Sequence, residues 1–266
     1  MLPLIDMDML IYEAAFGGED RETGEVYGFE YVASLMDKKV ADICHAVGAT
    51  KPPVLLLTGD GNFRFDIATV KPYKGTRKKE KPFHYNNLRA YAESLGAEVI
   101  HGMEADDELA IRQTAALPNN MYDCNSKTHT VICTRDKDLR QVPGWHYGWE
   151  HGLQPEFELQ CLDVIGDIEM RKKDIKGTGI KFFYSQIITG DSTDNIPGLP
   201  RRGPVYAYEL LNDTKAEGEM FNAVREAYRA VYEDEWEPRL LEQGRLLYMV
   251  REMKDGKPVM WRFPDD

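Results

Sequence analysis

Thr130-Val131-Ile132-Cys133-Thr134-Arg135-Asp136-Lys137-Asp138-Leu139 decides how this chain is read. An apolar run of this length becomes a buried strand or helix segment, and Asp136 and Asp138 sit where it emerges. On an extended strand end, residues two apart point to the same side, so both carboxylates can face one ion. Four more runs repeat the arrangement. Residues 2–5 lead into Asp6, 54–57 into Asp60, 99–100 toward Glu104, Asp106 and Asp107, and 187–188 toward Asp191 and Asp194. Helical patterns lie between them at 31–46, 86–95 and 105–116, the last ended by Pro118. Strand–helix alternation implies an α/β fold, a mostly parallel central sheet flanked by helices. Such sheets bind ligands beyond the carboxyl ends of their strands, where Asp6, Asp60 and Asp136 fall.

Nine carboxylates gathered at one edge of a core repel one another unless a cation joins them. An all-oxygen set points to a hard divalent ion, and hence to phosphoryl transfer or hydrolysis. The 266 residues carry a net charge of −12, and setting the nine acids aside leaves −3. An acidic total therefore does not exclude DNA, which responds to local patches. The length allows one large domain or two small ones. Cys44, Cys124, Cys133 and Cys161 form no Cys-x-x-Cys pair; buried thiols in a reducing cytosol are expected, not zinc ligands. No apolar stretch reaches membrane-spanning length, and an N-terminus holding Asp6 and Asp8 lacks a signal peptide's basic start. A cytoplasmic protein without a membrane partner is expected. Gly177-Thr178-Gly179-Ile180-Lys181 lacks the Gly-Lys-Ser/Thr ending of a nucleotide-binding loop, so ATP dependence is not expected.

Two basic segments interrupt the alternation. Lys71, Lys74, Arg77, Lys78, Lys79 and Lys81 stand against Glu80 alone, among Pro72, Tyr73, Gly75 and Pro82. By itself this is a solvated loop. Arg171, Lys172, Lys173, Lys176 and Lys181 suggest a second surface loop or helix start. From Asp191 onward the chain looks helical, with glycine and proline punctuation at 197–204 and an acidic, amphipathic packed layer at 213–237. Asp191 and Asp194 share a face if they are helical. Glu104, Asp106 and Asp107 open a helix, where acids also serve as capping devices.

If the acids converge, two metal ions about 3.5–4 Å apart can clamp the attacking and leaving oxygens of a phosphodiester. Nine acids exceed what one magnesium shell takes directly, so some act through water. Lys74 and Arg77 can offset charge developing on the phosphate.

In order, these motifs resemble the 5′-nuclease superfamily of flap endonucleases, the 5′-nuclease domain of bacterial DNA polymerase I and phage 5′–3′ exonucleases. The resemblance runs from Asp6 to about Leu211. It rests on Leu2-Pro3-Leu4-Ile5-Asp6, on Asp60 followed by Phe63-Arg64, and on Tyr73-Lys74-Gly75-Thr76-Arg77. Glu104-Ala105-Asp106-Asp107, the Thr134 to Gln141 stretch, and Gly190-Asp191-Ser192-Thr193-Asp194-Asn195-Ile196-Pro197-Gly198 complete it.

The resemblance implies a PIN-like 5′-nuclease fold with a metal-dependent core at 1–160, including a basic arch at 71–85. A helical DNA-binding region at 161–266, with a helix-three-turn-helix near 186–211, is expected to pack on it. All nine acids are implied as ligands of two or more Mg2+ ions, with Mn2+ as a substitute. Asp6, Asp60, Glu104, Asp106, Asp136 and Asp138 are assigned to the tighter site; Asp107, Asp191 and Asp194 lean toward the second ion or its waters. Lys74 and Arg77 are implied as catalytic. Arg64, Lys71, Tyr73, Lys78, Lys79, Lys81, Gly198, Arg201, Arg202 and Gly203 are implied as DNA contacts, with Tyr73, Phe83 and Tyr85 available for base stacking. The implied activity is two-metal hydrolysis at 5′ ends, nicks or flaps of double-stranded DNA, or of an RNA–DNA duplex, leaving a 5′-phosphate and 3′-hydroxyl. The chain looks most like a short phage exonuclease: a monomer serving replication, primer removal or recombination in an infected bacterial cytosol.

The chain departs from the family at Leu199-Pro200-Arg201-Arg202-Gly203-Pro204, where the turn lacks one glycine and its lysine but gains two arginines. A bound K+ at that turn is left open. Glu13 also stands where relatives often carry a basic residue. Two other readings are an RNA-directed PIN-like nuclease and a DNA-binding module without catalysis. The second would need a broken acid set, and none of the nine positions is substituted.

Overall fold

Leu4 and Ile5, Leu56 and Leu57, and Val131 and Ile132 are neighbours in sequence, and all six are buried. Consecutive residues of a strand point to opposite faces, so both faces of the sheet are covered. Each such side chain contributes about 1.5–3 kcal/mol on burial, which is what allows acids to be held at the strand ends. The structure is a computed structural model that describes residues 1–20, 22–77, 80–117 and 130–264. Lys78, Lys79, Pro118 and Cys124 lie outside these residues.

The chain divides into two compact units. The first comprises Met1–Gly61, Lys79–Asp136 and Gly144–Cys161; the second comprises Asn62–Lys78, Lys137–Pro143 and Leu162–Asp266. A single boundary near residue 160 therefore misses two excursions, 62–78 and 137–143, that fold with the helical half. The expected arch at 71–85 is divided between the units.

In the first unit, strands β1 (Leu2–Asp6), β2 (Val54–Thr58), β3 (Glu98–Ile100), β4 (Thr130–Cys133), β5 (Gly144–Gly148) and β6 (Phe157–Leu162) form one sheet. Its order is β3-β2-β1-β4-β5-β6. The β1–β2, β1–β4, β2–β3 and β4–β5 pairs are all parallel. Ile5 sits beside both Leu55 and Cys133, so β1, β2 and β4 end at the same edge. Helices α1 (Met7–Gly17), α2 (Phe29–Ala46), α4 (Tyr85–Ser94) and α5 (Ala105–Ala115) complete this unit, and the short α3 (Arg64–Ile67) belongs to the second.

The second unit is built on α6 (Gly179–Thr189), whose residues from Gly179 to Ile188 are all buried. A helix buried on every side belongs at the centre of its domain. It is wrapped by α7 (Pro204–Leu211), α8 (Glu217–Tyr232) and α9 (Trp236–Leu247). Helix α8 buries Met220, Phe221, Val224, Ala227 and Tyr228, the packed layer expected there. The basic segment 171–181 exposes Arg171, Lys172, Lys173 and Lys176, as expected of a surface loop or helix start, and only Lys181 departs from that reading. The segment holds the antiparallel hairpin β7 (Ile168–Arg171) and β8 (Asp174–Gly177) and then enters α6. Lys181 is buried, its Nζ donating to the Asn212 carbonyl at 3.2 Å with Asp167 at 3.6 Å.

Among the described residues, Cys133 carries a buried and Cys44 a partly buried free thiol. Among the described residues, no helix is long and apolar enough to cross a membrane.

Between α6 and α7 the chain crosses itself at two glycines, Gly190 with φ +72° and Gly198 with φ +64°. A Cβ on Gly198 would lie 2.4 Å from the Gly190 amide nitrogen. Gly198→Ala should lose at least about 1–2 kcal/mol from the left-handed backbone alone, with the clash adding to it. Thermal unfolding checks this; a variant melting with the parent would show that the crossing does not need glycine.

Candidate active site

Asp6 is the last residue of β1 and the N-cap of α1, because the strand turns into the helix without a loop. Its Oδ1 accepts from the Met9 amide at 3.2 Å, and its Oδ2 from the Thr134 hydroxyl at 2.8 Å. The same hydroxyl accepts from the Asp136 amide at 2.9 Å, so Thr134 ties the ends of β1 and β4 together. Asp6 is 3% exposed. Burial, together with the charges of Asp8 and Asp136, holds its carboxyl well above the usual carboxylate range, against the pull of Thr134 and Met9.

Asp8 escaped the sequence reading, where it stood only as an acidic N-terminal residue. Its Oδ2 accepts from the Thr58 amide at 2.8 Å and its Oδ1 from Arg89 at 3.1 Å. Burial still raises its carboxyl, and Glu104 adds to the rise. The spacing Asp6-x-Asp8 was the available signal.

Glu104 is the N-cap of α5, and its amide donates to Asp107 Oδ2 at 3.3 Å. Asp107 is completely buried and fills the capping role that competed with metal binding in the sequence. Asp106 and Asp136 are partly exposed. Asp60 is open to solvent and hydrogen-bonds His101, which draws its carboxyl below the usual range. The first unit thus holds Asp6, Asp8, Asp60, Glu104, Asp106, Asp107 and Asp136 at the ends of parallel strands. Among the described residues, no group of three or more His, Cys, Asp or Glu side chains is arranged as a ready-made metal cage. Oxygens of Asp6, Asp60 and Asp107 are turned onto protein donors.

The second unit holds the other three acids. Asp138 accepts from Gln186 Nε2 at 2.5 Å. Asp191 and Asp194 do not lie on a helix: Asp191 pairs with Ile196 across a tight turn and accepts from the Thr193 and Asp194 amides at 2.7 and 3.3 Å. An aspartate that bonds backbone two and three residues on makes a turn, which is why the helical spacing failed. Lys137 Nζ lies 3.5 Å from Asp191. Asp194 collects Tyr73 Oη at 2.8 Å, Lys74 Nζ at 4.0 Å and Arg77. The Lys74 amide also donates to the Asp194 carbonyl at 2.9 Å. The 72–77 turn and the 191–196 turn are thus a single bonded structure.

Some of the expected DNA contacts have other duties. Arg64 is buried; its Nε donates to the Leu246 carbonyl at 3.0 Å and its Nη2 to that of Tyr248 at 2.9 Å. It closes the end of α9. Tyr73 is 4% exposed and sits edge-on to Phe65, and Tyr85 is also buried, with Lys81 Nζ 4.1 Å from its ring centre. Base stacking on these two rings is therefore corrected, while Phe83 is 69% exposed. Lys71, Lys81, Arg201, Arg202 and Gly203 are exposed, and Gly198 is buried at the glycine crossing. Gly203 is the N-cap of α7, and Arg202 covers the Tyr206 ring.

No family model matches the chain. Over 252 residues it is 26% identical to DNA polymerase I of Bacillus subtilis (strain 168), covering 85% of this chain and 24% of that protein. Over 170 residues it is 26% identical to a 5′-3′ exonuclease of Mycoplasmopsis pulmonis (strain UAB CTIP), covering 62% and 51% respectively. The chain thus spans about a quarter and about half of these relatives. Among solved structures it superimposes on bacteriophage T5 5′-exonuclease with zinc ions bound, at TM-score 0.55 and 17% identity, covering 93% of this chain and 99% of that one. It also matches the T5 flap endonuclease in a pseudo-enzyme-product complex with DNA and metal ions, at TM-score 0.50 and 14% identity, covering 92% and 98%. The fold is the 5′-nuclease fold. Its mostly parallel sheet, flanking helices and C-terminal helical region are those expected from the sequence.

Arg64 supplies a direct check on the site assignment. Arg64→Met should leave the carbonyls of Leu246 and Tyr248 without these donors, costing about 1–3 kcal/mol for each carbonyl left unsatisfied. Thermal unfolding should show the loss, with duplex affinity well below the melting temperature unchanged. Weaker DNA binding at unaltered melting temperature would return Arg64 to the DNA surface.

Proposed function

We propose that this chain is a divalent-metal-dependent nuclease that hydrolyses DNA at 5′ ends and 5′ flaps. The carrying observation is the placement of Asp6, buried at the end of β1 where β2 and β4 also end, with Asp8 and Asp136 adding like charge to the cost of that burial. Similarity to a 5′-3′ exonuclease and to structures solved with DNA and metal ions supports the reading.

The donors fit a hard cation: they are carboxylate oxygens, and their mutual repulsion is the cost that positive charge relieves. Asp6, Asp60, Glu104, Asp106 and Asp136 are the proposed ligands in the first unit, with Mg2+ as the proposed ion, two or more in number, and Mn2+ as a substitute. Bound cations supply acidity to water and charge to offset that of the phosphate. Thr134 holds Asp6 and Asp136 in register, and Asp107 fixes the helix start that carries Glu104 and Asp106. In the second unit, Lys74 and Arg77 are the cations offered to a phosphate, and Asp194 is their partner until one arrives. Exposed Lys71, Arg201 and Arg202 are proposed duplex contacts, since phosphate binding needs accessible charge.

Asp136→Ala should abolish cleavage in magnesium while leaving duplex binding largely intact, read by 5′-labelled blunt, nicked and flapped duplexes beside a gel-shift titration. Chelation by EDTA should stop the parent, and undiminished turnover in either case removes the metal assignment. Lys74→Ala should slow cleavage more than it weakens binding; a loss confined to binding would make it a duplex contact. Mononucleotides released from blunt ends would mark an exonuclease, and oligonucleotides released from flaps an endonuclease.

A further inference from the structure

Arg89 belongs to no motif in the sequence, yet its guanidinium grips the acid edge at two points. Nη1 donates to Asp8 Oδ1 at 3.1 Å, and Nη2 donates to the Thr58 carbonyl at 2.9 Å. The other oxygen of Asp8 takes the Thr58 amide at 2.8 Å. Both backbone polar groups of Thr58, the last residue of β2, are therefore held by side chains from α1 and α4. The Thr58 hydroxyl then accepts from the Ala105 amide at 2.9 Å, the first residue of α5. One residue thus joins three helices at the point where β2 ends. Asp60 follows two residues later, Asp6 precedes Asp8 by two, and Glu104 is the N-cap beside Ala105.

We propose that Arg89 is a positioning residue for divalent-cation binding: by holding Asp8 against the end of β2, it sets the spacing of Asp6, Asp60 and the Glu104–Asp107 helix start. The inference rests on the metal-dependent nuclease reading above. Two features separate it from an ordinary ion pair. The Arg89 and Asp8 side chains are only 19% and 26% exposed, so the pair is largely withdrawn from solvent screening. The fork geometry spends both terminal nitrogens on different partners, which a lysine cannot copy. Without Arg89, Asp8 and the Thr58 carbonyl lose the donor they share, and the spacing between the ends of β1 and β2 is no longer fixed from α4. Helix α4, which follows the basic segment in the chain, is bonded through this one side chain to the ends of β2 and α1.

The test is Mn2+ binding without DNA, measured by isothermal titration calorimetry on the parent, Arg89→Gln, Arg89→Lys and the double variant Arg89→Gln/Asp8→Asn. Loss of a side chain that orients metal ligands typically weakens binding about 10–100-fold, and that loss is expected for Arg89→Gln. Arg89→Lys should recover part of it. The double variant should bind no more weakly than Arg89→Gln, because the two side chains act as one unit. Metal-free melting of each variant is recorded beside it. A lowered melting temperature with an unchanged Mn2+ dissociation constant overturns the proposal, as does full recovery in Arg89→Lys. DNA cleavage by the parent keeps the two readings apart. A parent that cleaves with Mn2+ while Arg89→Gln binds Mn2+ equally well refutes the role of Arg89 alone. A parent that neither binds Mn2+ nor cleaves refutes the nuclease reading and this one with it.

Discussion

The first unit is organised around a charge that its own fold makes expensive. Asp6 ends a strand buried on both faces and starts a helix in the same residue, so its carboxylate cannot swing out into water. Protein donors answer part of that cost: the Met9 amide at the helix start and the Thr134 hydroxyl from the neighbouring strand. The rest remains, because Asp8 and Asp136 add like charge nearby. A chain that kept such a group for stability alone would do better with an asparagine or a serine cap. A carboxyl carrying such a cost at a strand edge is a candidate functional group.

The surrounding hydrogen bonds follow from that constraint. Acids at one edge need rigid carriers, or repulsion simply spreads them. Thr134 couples β1 to β4, Thr58 couples β2 to α5, and the Glu104 amide bonded to Asp107 fixes the start of α5. In the second unit, a comparable arrangement surrounds Asp194, which receives Tyr73, Lys74 and Arg77 from a turn more than a hundred residues earlier. Each unit thus keeps its acids beside groups that hold them in place. In the first these are mostly hydroxyls and amides; in the second Lys74, Arg77 and Lys137 join the neutral donors. The second unit's Lys74 and Arg77 therefore have an internal partner in Asp194.

Much of this was legible in the sequence, and the reason is local. Strands at 2–6, 54–58, 98–100 and 130–133 are continuous apolar runs bounded by acids, and the helices between them keep helical spacing. Parallel order follows because helices separate the strands. The acids were visible because strand ends are fixed by where the apolar run stops. The readings that failed concern residues whose partners are distant. Arg64 looked like a DNA contact beside Phe63, but its acceptors lie 182 and 184 residues away. Tyr73 looked like a stacking platform until Asp194 claimed its hydroxyl from 121 residues away. Lys181 looked exposed in a basic stretch, yet it lies in a helix buried on every side.

What the sequence by itself determined is the α/β class, the strand-end placement of the acids and the chemistry an all-oxygen set favours. These depend on apolar run length, residue type and short spacing. What only the tertiary structure decided is how each charge is used: that Asp107 caps a helix, that Asp191 builds a turn, that Arg64 closes α9 and that Arg89 reaches Asp8 and Thr58 together. A charged side chain is long and can satisfy itself against any donor or acceptor the fold brings within about 3 Å. Its sequence neighbours do not say which one that will be.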